Sequence, residues 1–194
     1  MMDQDLVDEI EYMKDLLTKS GFFDVDEIIE ILEDQFIEYD IDFSKEDISL
    51  NNFDNVNFNK LETIFKALAK ENIVAIHNCG YDLPEGVADA FELYVHLKNN
   101  KYNPEGFCFY TFEDVEEAIF DEKLKITFGD FEDSEDNALE IGKTVNDYLS
   151  KDFTIQWDGT TNNQIELVSF KWDKSFDSQK EYEIEGAYDI FVKG

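Results

Sequence analysis

The chain has 194 residues, a formal net charge of -31, and 16 basic residues, every one of them lysine. Nucleic acid and anionic lipid are excluded as ligands, because an acidic surface without arginine repels phosphate and lacks the planar fork that grips it. A hydrophobic share of 43%, with 18 Phe, excludes a disordered acidic tail and leaves enough apolar mass for one good core. Such a surface attracts a basic protein, a polyamine or metal cations; the plain alternative is that the charge serves solubility.

The N-terminal fifty residues are the most acidic block, with 17 Asp and Glu against three lysines. Leu6, Ile10, Met13 and Leu17 share one helical face, and Ser20-Gly21 closes that helix, which runs from about Gln4 to Lys19. Asp24 and Glu27 form a capping-box pattern for a second helix reaching about Tyr39. The two make a helical hairpin. Asp40 to Val56 is acidic and rich in Asn, without a sustained period, and reads as a linker. The expected domains are therefore residues 1–50, a helical hairpin with linker, and residues 51–194.

Asn57 is expected to cap a third helix carrying Phe58, Leu61, Ile64, Phe65 and Leu68. Ile73–Ile76 is apolar on both faces and suits a central strand. Pro84 opens the next helix. Gly106-Phe107-Cys108-Phe109-Tyr110 reads as a buried strand, and Thr111 with Asp114 then forms a second strand-to-helix capping box. Leu124–Phe128 alternates as a strand, Ser134–Lys151 reads as a helix, and Phe153–Trp157 with Ile165–Trp172 as a hairpin. Glu181–Val192 alternates acidic and apolar, which predicts a final strand bent at Gly186. The expected fold is α+β: a mixed sheet with packed helices, parallel in its middle and antiparallel toward the C-terminal edge, preceded by an N-terminal helical segment.

Several short stretches, in order, resemble an uncharacterised bacterial family of unknown function: Ile73-Val74-Ala75, Asn78-Cys79-Gly80-Tyr81, Gly106–Tyr110 followed by Asp114, Phe128-Gly129, Trp157-Asp158-Gly159 and Phe170-Lys171-Trp172. The resemblance spans roughly residues 50 to 174. It implies no named activity. Where the family pattern often has His after the Tyr, this chain has Thr111.

Two places can carry chemistry. Cys108 in the apolar strand is a possible thiol nucleophile with His77 as its base, against a reading as a small core hydrophobe. His77-Asn78-Cys79 ends a strand, where ligands of α/β sheets gather, and with Asp82 it offers three zinc-type ligand residues in no recognised metal spacing. His96 is expected to face solvent. Asp40–Glu46 begins like a calcium loop, but the sixth position is Lys45 and the twelfth Asn51. Asp130, Glu132, Asp133, Glu135 and Asp136 form a carboxylate run at a helix N-terminus.

Two cysteines imply no disulfide framework, and the acidic N-terminus does not read as a signal peptide, which predicts a cytosolic protein without a cofactor. The functional expectation is a non-catalytic module that binds a basic protein, of the inhibitor or immunity type. The alternative is a small hydrolase or transferase with its site at the strand ends near His77/Cys79 and Cys108/Thr111.

Overall fold

A computed structural model describes residues 3–45 and 47–193 of the chain, which fall into two compact units. The first comprises residues 1–56 with the segment Asp173–Gln179; the second comprises Asn57–Trp172 with Lys180–Gly194. Among the described residues the architecture is α+β, with seven α-helices and one five-stranded mixed sheet. No described helix is long and apolar enough to cross a membrane.

In the first unit, α1 (Gln4–Ser20) ends at Gly21, whose φ of 71° places it in the left-handed region that glycine accepts without penalty. α2 (Val25–Gln35) opens on the expected capping box. The Asp24 carboxylate accepts from the Glu27 N–H, and the Glu27 carboxylate accepts from the Asp24 N–H. The α-helix stops at Gln35, and a short 3-10 turn carries Ile37–Tyr39. Ile10, Leu16, Leu17, Ile28, Leu32, Phe36 and Phe43 are buried here. A distant segment completes this unit. Lys174 is buried, its ammonium donates to the Gly21 carbonyl, and it stands 4.5 Å from the Phe22 ring centroid.

The second unit holds α3 (Val56–Ala69, from Asn57 on), β1 (Ile73–Ile76), α4 (Leu83–Asn99), β2 (Gly106–Phe109), α5 (Phe112–Asp121), β3 (Lys123–Asp130), α6 (Glu135–Leu149), β4 (Thr154–Gln156), β5 (Ile165–Val168) and α7 (Glu183–Lys193). The strand order is β1-β2-β3-β5-β4. Alternation of side chains across the strands decides which helix covers which face. Val74, Ile76, Phe107 and Phe109 pack with Leu93, Leu97 and Ala187, so α4 and α7 share one face. Phe65 of α3 stacks on His77, and Ile141 of α6 presses on Gly106, so α3 and α6 lie on the other.

Four expectations are corrected. Parallel pairing is confined to β1 and β2, at the sheet edge, and the central strand β3 is antiparallel to both neighbours. After α5, Glu122 alone, at φ 54°, turns the chain from the helix into β3. Asn57 does not cap α3. The helix already includes Val56, and the Asn57 amide instead donates to the Lys171 carbonyl at 2.9 Å. The hairpin's second arm ends at Val168, because Ser169 at φ 56° breaks the alternation; Phe170 and Trp172 are buried beyond it.

The last correction matters most. Glu181–Val192 is not a bent strand: α7 occupies Glu183–Lys193. Ile184, Ala187, Tyr188 and Phe191 recur at helical spacing and pack toward the sheet, a period the acidic-apolar alternation conceals. Gly186 is no bulge. It lies in the first turn, where a Cβ would strike the Glu181 carbonyl.

Candidate functional site

The carboxyl ends of β1 and β2 lie side by side, with Ile76 paired to Phe109. Beyond β1, His77 and Asn78 are buried, and Asn78 takes the left-handed conformation at φ 50°, which Asn tolerates better than other side chains. Beyond β2, Tyr110 is fully buried and its hydroxyl lies 2.8 Å from His77 Nδ1. Phe65 stacks on the imidazole at 4.4 Å between centroids, and the rings of Phe58, Tyr110 and Tyr182 surround it. Burial, then the neighbouring Tyr182 and Glu62, pushes the Tyr110 phenol well above its ordinary range, so it stays a neutral hydroxyl.

Around this pair lies a ring of polar contacts. Glu62 of α3 is 8% exposed, binds the Lys180 ammonium at 2.8 Å and accepts from the Tyr182 hydroxyl at 3.3 Å. Asn78 Nδ2 donates to Glu183 at 2.9 Å, and the Glu183 N–H donates to the His77 carbonyl at 3.1 Å, so the start of α7 seals the end of β1.

Each expected site residue has a definite place. Cys79 is buried, its thiol donates to the Gly86 carbonyl at 3.3 Å, and burial, then Asp89 and Glu183, pushes its pKa up. Cys108 is buried opposite Ala75 in the sheet, and burial alone pushes its thiol up. Both sulfurs are thereby held as neutral thiols. The His77 hydrogen bond goes to Tyr110. Asp82 caps α4 by accepting from the Glu85 N–H at 3.0 Å, so His77, Cys79 and Asp82 are each held by partners of their own. Among the described residues, no group of three or more His, Cys, Asp or Glu side chains is arranged to hold a metal ion.

Thr111 is the N-cap of α5, and Asp114 returns the bond at 2.9 Å to the Thr111 N–H and 3.0 Å to its hydroxyl. A helix N-terminus binds anions through its unpaired N–H groups. Here they are taken: Phe112 N–H donates to the Gly80 carbonyl at 3.1 Å, Glu113 N–H to the Tyr81 carbonyl at 3.0 Å, and Asp114 N–H to the Thr111 hydroxyl at 3.3 Å. With Cys79 N–H on the Tyr110 carbonyl at 2.8 Å, the turn Asn78–Tyr81 is knitted to the β2–α5 joint.

The carboxylate run presents Glu132, Asp133, Glu135 and Asp136 to solvent. Asp130 is partly enclosed and accepts from the N–H groups of Glu132 (2.9 Å) and Ser134 (2.8 Å) and from the Asn137 amide. Burial raises its pKa, but these bonds outweigh burial and hold it below the usual carboxylate value. A depressed carboxylate adds stability above its unfolded pKa of about 3.9, and that stability is lost as pH falls through the folded value. We expect a carbon-detected NMR titration to find Asp130 ionised below its unfolded pKa, and Asp130→Asn to flatten the acid limb of the stability curve. A midpoint at or above about 4 would contradict the bonding described.

One feature escaped sequence reasoning. His96 is exposed as expected, yet its ring lies 4.7 Å from Tyr188 and forms one wall of a groove of about 660 Å³ between α4 and α7. Misreading α7 as a strand hid this groove, and the spacing Ile184–Tyr188 was the signal that would have revealed it.

The fold and the strand-end cluster define an acidic α+β protein in which His77 and Tyr110 are buried and hydrogen-bonded to each other. The chain belongs to the family described as domain of unknown function DUF6891, whose profile matches residues 3–176. Neither a curated protein nor a solved structure matches it. Helix α7 lies beyond the matched residues.

Proposed function

We propose that this chain is a non-catalytic acidic binding module of a bacterial cytosol that receives a basic protein, as an inhibitor or immunity-type protein does. The observation that carries the reading is the contrast between outside and inside. Exposed carboxylates crowd α1, α2 and the stretch from Glu113 to Asp136, while the His, Tyr and Cys side chains at the strand ends are buried. Carboxylate faces of this density speed encounter with a cationic partner. Tyr39, 56% exposed, and Phe120, 40% exposed, stand among them as apolar anchors.

The short stretches that resemble family signatures fit fold-determining roles. A Cβ on Gly106 would meet Ile141, one on Gly129 would meet the Phe107 ring at 2.6 Å, and the Trp157 indole staples its turn by donating to the Thr160 carbonyl at 3.0 Å.

The test is capture of partners from the native host's lysate on the immobilised chain, with elution by a salt step. The expected result is one basic protein in stoichiometric amount, released by salt and weakened when Glu132, Asp133, Glu135 and Asp136 are replaced by Lys. Only trace amounts of abundant basic proteins would overturn the reading.

A further inference from the structure

The groove between α4 and α7 has a floor and a rim of different chemistry. Val95, Ile184 and Tyr188 make the apolar part, and Glu92, Glu185 and Asp189 stand around them. Val95 is 56% exposed, although the buried face of the same helix, through Ala90, Leu93 and Leu97, is fully packed. Val95 lines the groove together with Ile184 and Tyr188, so its exposure is part of one apolar strip rather than that of a lone surface valine. The only described lysine paired to a rim carboxylate is the exposed Lys193, on Asp189; Glu92 and Glu185 make no ion pair among the described residues. Burial, then the neighbouring carboxylates of Glu92 and Glu85, raises the pKa of Asp89 on the same helix.

We infer that this groove is the docking site for an amphipathic helical segment of a basic protein, its apolar side chains seated on Val95, Ile184 and Tyr188 and its lysines or arginines reaching Glu92 and Glu185. The inference rests on the binding reading above and names the surface and the shape of the partner. An apolar channel bounded on both sides by helices accepts the apolar stripe of a third helix. Uncompensated carboxylates at its edge select a cationic sequence over an acidic or neutral one, and they disfavour a second copy of this chain, which carries a net charge of -31.

The probe is a synthetic amphipathic peptide with leucines along one face and lysines elsewhere, labelled and titrated with the full chain by fluorescence anisotropy. Two controls replace its lysines by Glu or its leucines by Ser. The substitutions Glu92→Lys with Glu185→Lys, and separately Val95→Lys, lie at exposed positions, and circular dichroism melting confirms that the variants fold. Each is expected to weaken the lysine peptide at least about tenfold, or about 1.4 kcal/mol, while Asp147→Lys with Asp152→Lys, at exposed positions away from the groove and from the Glu113–Asp136 stretch, changes it far less. Equal weakening by the groove and control variants, equal binding of the serine peptide, or no binding would overturn the groove as the site. Lysate capture separates the two claims. A groove variant that retains the basic protein in full overturns the docking site and leaves the binding reading standing, whereas an unmodified chain that retains none overturns the reading itself.

Discussion

Tyr110→Ala is expected to lower stability by about 3–5 kcal/mol, the usual cost of emptying a fully buried aromatic site. Tyr110 has no exposed surface, and its ring meets Phe65, His77 and Trp172. Its removal opens a cavity where three elements converge and takes the hydroxyl from His77 Nδ1. Tyr110→Phe keeps the packing and deletes only the hydroxyl, so its cost is that of one buried hydrogen bond, about 1–3 kcal/mol. Urea unfolding of the three proteins measures both differences. If Tyr110→Ala cost less than about 1 kcal/mol, the joint would not be the packed centre described, since even surface changes approach that size.

The second large effect is expected at Gly80→Ala, about 2–4 kcal/mol from left-handed strain and overpacking together. Gly80 has φ 69°, and a Cβ there would stand 2.6 Å from the Gly86 nitrogen and 2.8 Å from the Glu85 carbonyl carbon. Those atoms are backbone of the first turn of α4 and cannot swing aside. The turn would therefore pull away from α4 and loosen the Gly80 carbonyl from Phe112 N–H. Asn78→Gly, one step back at φ 50°, relaxes a strained position while losing the amide bond to Glu183, and serves as the contrast. Thermal unfolding of both variants separates backbone strain from the lost side chain; a Gly80→Ala protein as stable as the parent would contradict the close approach.

What could be read before the structure was what depends on neighbours in sequence. Asp24 with Glu27 and Thr111 with Asp114 are capping boxes because each pair sits three residues apart at a helix start, and both form. Buried strands β1 and β2 announced themselves as unbroken apolar runs. What failed depends on distant partners. The burial of Lys174 requires Gly21, more than 150 residues away, and the Asn57 amide reaches the distant Lys171 carbonyl. The α7 segment carries two periods at once, and packing on Val74, Ile76 and Phe107 selects the helical one. The strand-end residues were found in sequence as a possible site; the His77–Tyr110 hydrogen bond and the burial that keeps both thiols neutral belong to the tertiary structure.

The most direct measurement of the binding account is a nitrogen–proton NMR map of the labelled chain during titration with the lysine–leucine peptide at about 0.15 M salt, where diffuse surface attraction is screened beyond roughly 8 Å. The account predicts shifts concentrated on Glu92–Asn99 of α4 and Ile184–Asp189 of α7. Shifts spread evenly over every acidic face, or none at all, would contradict it.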